Sequence, residues 1–148
     1  MLGGEVKLPS YSHLRSGKNG KKALLLFSHT LTQGQVEELE RDWGVEVIEP
    51  LYPELQELWS SVPPHLDSLS QYLEPVLKWM GEMGTPGDVV VVQGDYGASY
   101  LAVNRAFDLG LIPVYATTKR EMMETHLPDG SVRQERVFRH VRFRVYGR

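Results

Sequence analysis

Asp88–Gln93, with the sequence DVVVVQ, is the clearest strand signal in the chain. It sets four consecutive valines between a turn signal at Pro86 and Gly87 and the Gly94 that follows. β-Branched residues favour strands, and a strand buried on both faces has a continuous apolar sequence. This stretch is therefore predicted to be a central strand of a parallel sheet.

Strand and helix signals alternate on both sides of this stretch. Ala23–Ser28 is a second continuous apolar run, Val45–Glu49 is a shorter strand, and Leu111–Ala116 is a fourth. Helical patterns separate the strands at residues 32–43, around residues 55–59 and 69–80, and at residues 97–109. This order predicts an α/β fold with a doubly wound, mainly parallel sheet and right-handed crossovers.

The C-terminal segment has a different pattern. Glu121–His126 and Ser131–Tyr146 flank a turn sequence at residues 128–130, which predicts a β-hairpin. Strand alternation would place Val141, Phe143 and Val145 on one face. The other face would carry a cationic stripe made of His140, Arg142, Arg144 and Tyr146.

Composition limits the class of protein. The 148 residues are 41% hydrophobic, which suits one domain, predicted over residues 22–148 after a flexible arm at residues 1–21. A net charge of -3 argues against nonspecific binding to DNA or to a membrane. Because the sequence has no cysteine and no apolar run of roughly 18 residues, a cytoplasmic protein is expected.

Polar clusters follow three of the predicted strands. The carboxyl ends of parallel strands meet at one rim, where helix N-termini also point, so these clusters are expected to converge on an anion. The clusters are Ser28, His29, Thr30 and Thr32 after the first strand; Gly94, Asp95, Tyr96, Gly97 and Tyr100 after the third; and Thr117, Thr118, Lys119 and Arg120 after the fourth.

Each cluster also has a structural explanation. The Gly94–Gly97 turn is either a backbone cradle for phosphate or a tight turn with Asp95 as helix N-cap. His29 is either a general acid or base or a histidine bonded to a neighbouring loop. Lys119 and Arg120 are either phosphate ligands or solvated surface charges.

The arginine stripe of the last strand has two explanations as well. It either binds phosphates and bases or guards an edge strand against aggregation. Two kinds of site lack a sequence signal: the histidines are too scattered for a zinc site, and no serine-hydrolase elbow occurs.

Four runs of sequence resemble the small CRISPR-associated Csx proteins of type III systems, which are related to CARF (CRISPR-associated Rossmann fold) domains. The resemblance extends over Lys22–Tyr146. The runs are LLFSHTLT (Leu25–Thr32), VQGDYGASYLAVNRAF (Val92–Phe107), LGLIPVYATTKR (Leu109–Arg120) and RVFRHVRFR (Arg136–Arg144).

The resemblance implies a Rossmann-like homodimer that binds a cyclic oligoadenylate. It further implies a ring nuclease that linearises this messenger, cyclic tetra-adenylate above all, and switches off the antiviral response. Cleavage needs only a 2′-OH held in line with the leaving 5′-oxygen, so no metal or cofactor is expected and the product would carry a 2′,3′-cyclic phosphate.

The residues named above then take roles at this rim. His29 is the expected acid or base, and Lys119, Arg120 and Arg142 are the expected phosphate ligands. Tyr96 or Tyr100 would lie against adenine. Two alternatives remain open: a protein that binds the ring without cutting it, and a housekeeping protein that binds a mononucleotide.

Overall fold

The computed structural model describes residues 20–147, so the expected N-terminal arm lies outside the described residues except for Gly20 and Lys21. The elements are β1 (Lys22–Phe27), α1 (Gln33–Trp43), β2 (Val47–Pro50), α2 (Pro53–Ser60), α3 (Glu74–Met83), β3 (Val89–Gln93), α4 (Tyr96–Asp108), β4 (Ile112–His126) and β5 (Val132–Val145).

The five strands form one sheet in the order β2-β1-β3-β4-β5. The first four are parallel, and β5 is antiparallel to β4. The chain moves from β1 to β2 on one side and then crosses to β3 on the other side. The order therefore reverses between β1 and β3, which is where ligands bind in open α/β sheets. This α/β architecture was predicted from sequence and is compatible with a Rossmann-like fold.

Apolar side chains bury both faces of the sheet. One face packs against α1 through Val36 and Leu39. The other packs against α2, α3 and α4, with Trp59, Met80 and Ala102 in that layer. All four valines of β3 are inaccessible to solvent, as the DVVVVQ stretch predicts. None of the helices within residues 20–147 has the length and apolar character needed to cross a membrane.

Strand β4 is longer than its sequence pattern predicts. Leu111–Ala116 and Glu121–His126 were expected to be separate strands, but Ile112–His126 is continuous. Only residues 112–114 pair with β3, and the rest of β4 pairs with β5 alone. Residues 118–126 and 132–140 form a two-stranded extension beyond the parallel sheet, called here the β4–β5 ribbon.

A β-bulge interrupts the alternation predicted for β5. Thr117 pairs with Arg142 whereas Thr118 pairs with His140, so Val141 is the extra residue. Phe143 is buried, but Val141 and Val145 are 57% and 45% exposed. The prediction that all three pack together was wrong. The bulge separates Val141 from Phe143, and Val145, on the same side of the bulge as Phe143, is half-exposed at the end of the edge strand.

Candidate functional site

The ends of β1 and β3 lie side by side. Phe27 pairs with Gln93, the last residue of β3. The turns that begin at Ser28 and at Gly94 therefore leave the sheet from neighbouring strands, about 4.8 Å apart. The structure brings these two sequence-predicted clusters together at the point where strand order reverses.

Helix α2 covers this end of the sheet. Gln56 Nε2 donates to the carbonyl of Phe27, and Trp59 Nε1 donates to the carbonyl of Gln93, both at 3.0 Å. The hydroxyl of Ser60 donates to that of Ser28 at 3.3 Å. The terminal carbonyls of β1 and β3 are therefore satisfied by the protein itself.

The indole of Trp59 explains why residue 94 is a glycine. A Cβ at Gly94 would lie 2.8 Å from Trp59 Nε1, closer than real contacts allow. The missing side chain makes room for the indole, which is 1% exposed. A phosphate cradle is not needed to account for this glycine.

Asp95 is the N-cap of α4. Its Oδ2 accepts from Ala98 N–H at 3.0 Å, which confirms the structural alternative for this turn. The carboxylate occupies the positive end of the helix, so a phosphate there would meet a like charge. Gly97 lies beside Leu69, whose Cδ1 would be 3.3 Å from an added Cβ.

The remaining residues of the first cluster are exposed or serve as a helix cap. His29 is exposed, and its ring meets the edge of Phe27 at 5.6 Å between centroids. Thr30 is exposed as well. Thr32 is the N-cap of α1, in a capping box with Gln35, as its spacing predicts.

The third cluster lies within β4 instead of in a loop. Lys119 pairs with Arg139 and Arg120 with Phe138, so the two cations are on opposite faces of the ribbon. The guanidinium of Arg120 lies 5.4 Å from the Phe138 ring. Thr118 is exposed beside His140, and Thr117 Oγ1 bonds to both the N–H and the carbonyl of Arg142 across the bulge.

His140 belongs to a buried network that the sequence did not reveal. Its Nε2 donates to Glu38 of α1 at 2.6 Å. The same carboxylate accepts from Phe143 N–H at 2.8 and 3.1 Å and from Trp43 Nε1 at 3.0 Å. His140 is thereby fixed between α1 and β5 and leaves the expected cationic stripe.

The two arginines of that stripe, Arg142 and Arg144, also occupy different places. Arg142 lines an open groove between α1 and β5, together with Glu37, Arg41 and Asp42. Arg41 bonds to Asp42 at 3.0 Å and lowers the pKa of that carboxyl. Because the groove carries both signs of charge, it is a poor match for a polyanion.

A second opening is rich in aromatic side chains. It has a volume of about 680 Å³ and lies between α4 and the β4–β5 side of the sheet. We call it the aromatic cleft. Its walls are Gln93, Gly94, Tyr96, Ser99, Tyr100, Val103, Asn104, Phe107, Tyr115, Tyr146 and Gly147.

Two tyrosines on the sheet side of the cleft are held in place. The rings of Tyr115 and Tyr146 are tilted, with centroids 4.8 Å apart. Tyr146 donates to the carbonyl of Val92 at 2.6 Å, and burial raises its pKa, so the phenol stays neutral. Arg144 Nη1 donates to the Tyr115 hydroxyl at 3.0 Å, with the guanidinium over the ring.

The helix side of the cleft presents open surfaces. Tyr96 and Tyr100 of α4 are 95% and 69% exposed. Ser99 Oγ and Trp79 Nε1 are the two buried side-chain polar atoms in residues 20–147 without a hydrogen-bond partner. Of these residues, only Ser99 lines the cleft. An unpaired buried hydroxyl is uncommon in proteins and is a natural contact for a ligand or water.

Sequence reasoning identified only part of this cleft. Gly94, Tyr96, Tyr100 and Tyr146 were singled out, as was Arg144, which contacts Tyr115, whereas Tyr115 itself was not. Tyr115 could have been found from the pairing of β4 with β5, which sets it opposite Arg144. Within residues 20–147, no group of three or more His, Asp or Glu side chains is placed to hold a metal ion.

Comparison with known proteins identifies a family. A model of the Uncharacterized protein MJ1673 family matches residues 21–144. The chain is 43% identical over 125 residues to the Uncharacterized protein MJ1673 of Methanocaldococcus jannaschii, a match that covers 84% of this chain and 96% of the relative. The chain therefore belongs to this family. No solved structure matches it significantly.

Proposed function

We propose that this member of the family binds adenine nucleotides in the aromatic cleft, and that its ligand is a cyclic oligoadenylate. One observation carries the proposal: four tyrosines line a cleft that also contains a buried hydroxyl without a partner, and Arg144 donates to one of them, Tyr115. Its volume falls within the range of sites for small molecules, roughly 300–1,000 Å³.

The chemistry of the walls suits an adenylate. Aromatic rings stack on bases, and such stacking contributes about 1–3 kcal/mol per base. Tyr96 and Tyr100 expose the surface that a base needs, and Ser99 and Asn104 supply polar groups for its edge. Arg144 brings a positive charge to the same region.

The choice of a cyclic oligoadenylate as ligand rests on the sequence resemblance. By that resemblance, the chain is a cytoplasmic CARF-like protein of a type III CRISPR system, and the β4–β5 ribbon is its C-terminal hairpin. A homodimer suits a cyclic oligoadenylate because both are symmetric, so that two copies can present the same groups twice.

The enzymatic form of the proposal is a ring nuclease. A ribose 2′-OH attacks the adjacent phosphorus, the bond from phosphorus to the 5′-oxygen breaks, and a proton returns to that oxygen. The product is a linear strand with a 2′,3′-cyclic phosphate. His29 is the candidate acid or base, and Lys119 or Arg120 would stabilise phosphate charge. These cations lie on opposite ribbon faces, so a given phosphate would meet one of them.

Binding without cleavage is the second candidate. It is favoured by the composition of the cleft, whose described walls include no His, Lys, Asp or Glu. A stacked ligand would then be held without a nearby group of suitable pKa to move a proton.

One assay separates these functions. The purified protein is incubated with cyclic tetra-adenylate in EDTA, and products and melting temperature are measured. Linear product supports the ring nuclease, and an intact ring with a raised melting temperature supports the binding protein. If rings of four and six adenylates both leave the melting temperature unchanged, the proposal fails and a mononucleotide-binding protein is favoured.

Tyr100→Ala is expected to weaken the binding of cyclic tetra-adenylate. Loss of one stacking surface corresponds to a rise in Kd of about 5- to 150-fold. Tyr52→Ala is the matched control, because Tyr52 is 54% exposed but lies outside the cleft. Calorimetric titration of both variants provides the test. Equal affinities would remove Tyr100 from the site.

Arg144→Ala is expected to lower affinity and to reduce the salt dependence of binding. The slope of log affinity against log salt falls when a phosphate contact is removed. Arg142→Ala is the control, because Arg142 lies in the α1 groove. If Arg142→Ala reduces the slope and Arg144→Ala does not, the ligand occupies the groove instead of the cleft.

A further inference from the structure

Ser99 has no role in the fold that accounts for its hydroxyl. The residue lies in the first turn of α4, where its N–H donates to the Asp95 carbonyl at 2.8 Å. Its Oγ is buried and finds no hydrogen-bond partner among residues 20–147, although the residue as a whole is only partly buried. A buried hydroxyl without a partner costs free energy, and alanine is the stronger helix former. Alanine would therefore serve the fold better than serine at this position.

The other polar side chains of the aromatic cleft are already bonded or lie open to solvent. The Gln93 side-chain oxygen accepts from a backbone N–H of β4 at 2.8 Å, and the Tyr146 hydroxyl donates to a backbone carbonyl of β3 at 2.6 Å. The Tyr115 hydroxyl accepts from an arginine of β5. Asn104 and the tyrosines of α4 are exposed. Among the described cleft walls, Ser99 therefore supplies the buried side-chain oxygen that is left for a ligand.

We propose that Ser99 determines the base specificity of the cleft by accepting a hydrogen bond from the exocyclic amino group of adenine. On the edge of adenine this amino group is the donor, whereas the ring nitrogens accept. A hydroxyl can also donate, so the same group can pair with a neighbouring ring nitrogen. The inference rests on the proposed binding of adenylates in the cleft.

The Ser99 hydroxyl can reach a ligand by rotation about one bond. A serine side chain moves between three staggered positions, and turning about Cα–Cβ carries Oγ from one side of the residue to another. Because Oγ has no partner in the described part of the chain, this rotation breaks no hydrogen bond there. A stacked base would exclude water from the cleft and give the hydroxyl the partner that the protein does not provide.

Ser99→Ala is expected to raise the melting temperature of the free protein by about 2–4 °C. The change removes a buried polar group without a partner and adds a better helix former. A serine that stabilised the fold would show the opposite effect, because its loss would break a hydrogen bond. Scanning calorimetry without nucleotide measures the shift. A melting temperature below that of wild type would assign the hydroxyl a structural role and overturn the inference.

The choice of base is tested with two rings and two proteins. Wild type and Ser99→Ala are titrated calorimetrically with cyclic tetra-adenylate and with the same ring in which hydrogen replaces each amino group. Wild type should prefer cyclic tetra-adenylate by about 3- to 10-fold, the contribution of one neutral hydrogen bond. Ser99→Ala should bind both rings with nearly equal affinity, because the acceptor is gone.

Ser131→Ala is the matched control for both measurements. Ser131 is exposed beside the turn of the β4–β5 ribbon and lies outside the cleft walls, so its variant should keep the wild-type preference. If wild type and Ser99→Ala prefer cyclic tetra-adenylate to the same extent, this inference fails and the proposed function stands. If wild type binds neither ring, the proposed function fails and takes this inference with it.

Discussion

Replacing Glu38 with alanine is expected to lower the free energy of unfolding by about 3–5 kcal/mol. The carboxylate is buried between α1 and β5, and it accepts hydrogen bonds from His140, Trp43 and Phe143 N–H. Alanine would leave these donors without their acceptor in a site that water hardly reaches. Since β5 is the edge strand, the loss would also separate it from α1.

Urea unfolding of three proteins tests this expectation. Glu38→Gln keeps one acceptor oxygen, so its loss of stability should be smaller than that of the alanine variant. Glu37→Ala, on the exposed side of the same helix, should change stability by no more than about 0.5 kcal/mol. If Glu38→Ala and Glu37→Ala unfold at the same urea concentration, the network contributes nothing.

Gly94→Ala is expected to destabilise the protein by about 2–3 kcal/mol. The added methyl would lie 2.8–3.1 Å from three atoms of the Trp59 indole. Trp59 cannot move away easily, because it is packed in the core and bonded to the Gln93 carbonyl. The strain falls at the end of β3, beside the aromatic cleft, so ligand affinity should decrease as well.

A double-mutant cycle with Trp59→Phe tests whether contact with the indole causes the loss of stability in Gly94→Ala. The smaller ring leaves space for the methyl, so the combined loss of stability should be less than the sum of the two single losses. Gly34→Ala in α1 is the control, since an added Cβ there has no atom closer than 4.0 Å and alanine favours helix. Strict additivity at Gly94 and Trp59 would show that the indole is not the obstacle.

Burial explains why the sequence predicts the central sheet. A strand covered on both faces must be apolar throughout, so the run DVVVVQ by itself indicates a central strand. The length of β4 has no such signal, because Thr117–Arg120 is polar and follows a predicted strand, as a loop would. Pairing with β5 alone keeps these residues extended.

Long-range register explains what the sequence could not predict. The bulge at Val141 removes His140 from the arginine stripe, and nothing in the alternating pattern shows it. Glu38 looks like an ordinary surface residue of a helix until β5 is placed beside it. Tyr115 and Tyr146 meet only because β4 and β5 pair as they do, far apart in sequence.

Adenylates that bind in the aromatic cleft must change the surroundings of its tyrosine rings. NMR spectra of the tyrosine rings, recorded while cyclic tetra-adenylate is added, follow these changes. The rings of Tyr96, Tyr100, Tyr115 and Tyr146 line the cleft, whereas those of Tyr52 and Tyr72 do not. We expect the resonances of the first four to shift and those of the other two to stay in place. Saturable binding that leaves the resonances of all four cleft tyrosines unchanged would show that adenylates bind elsewhere.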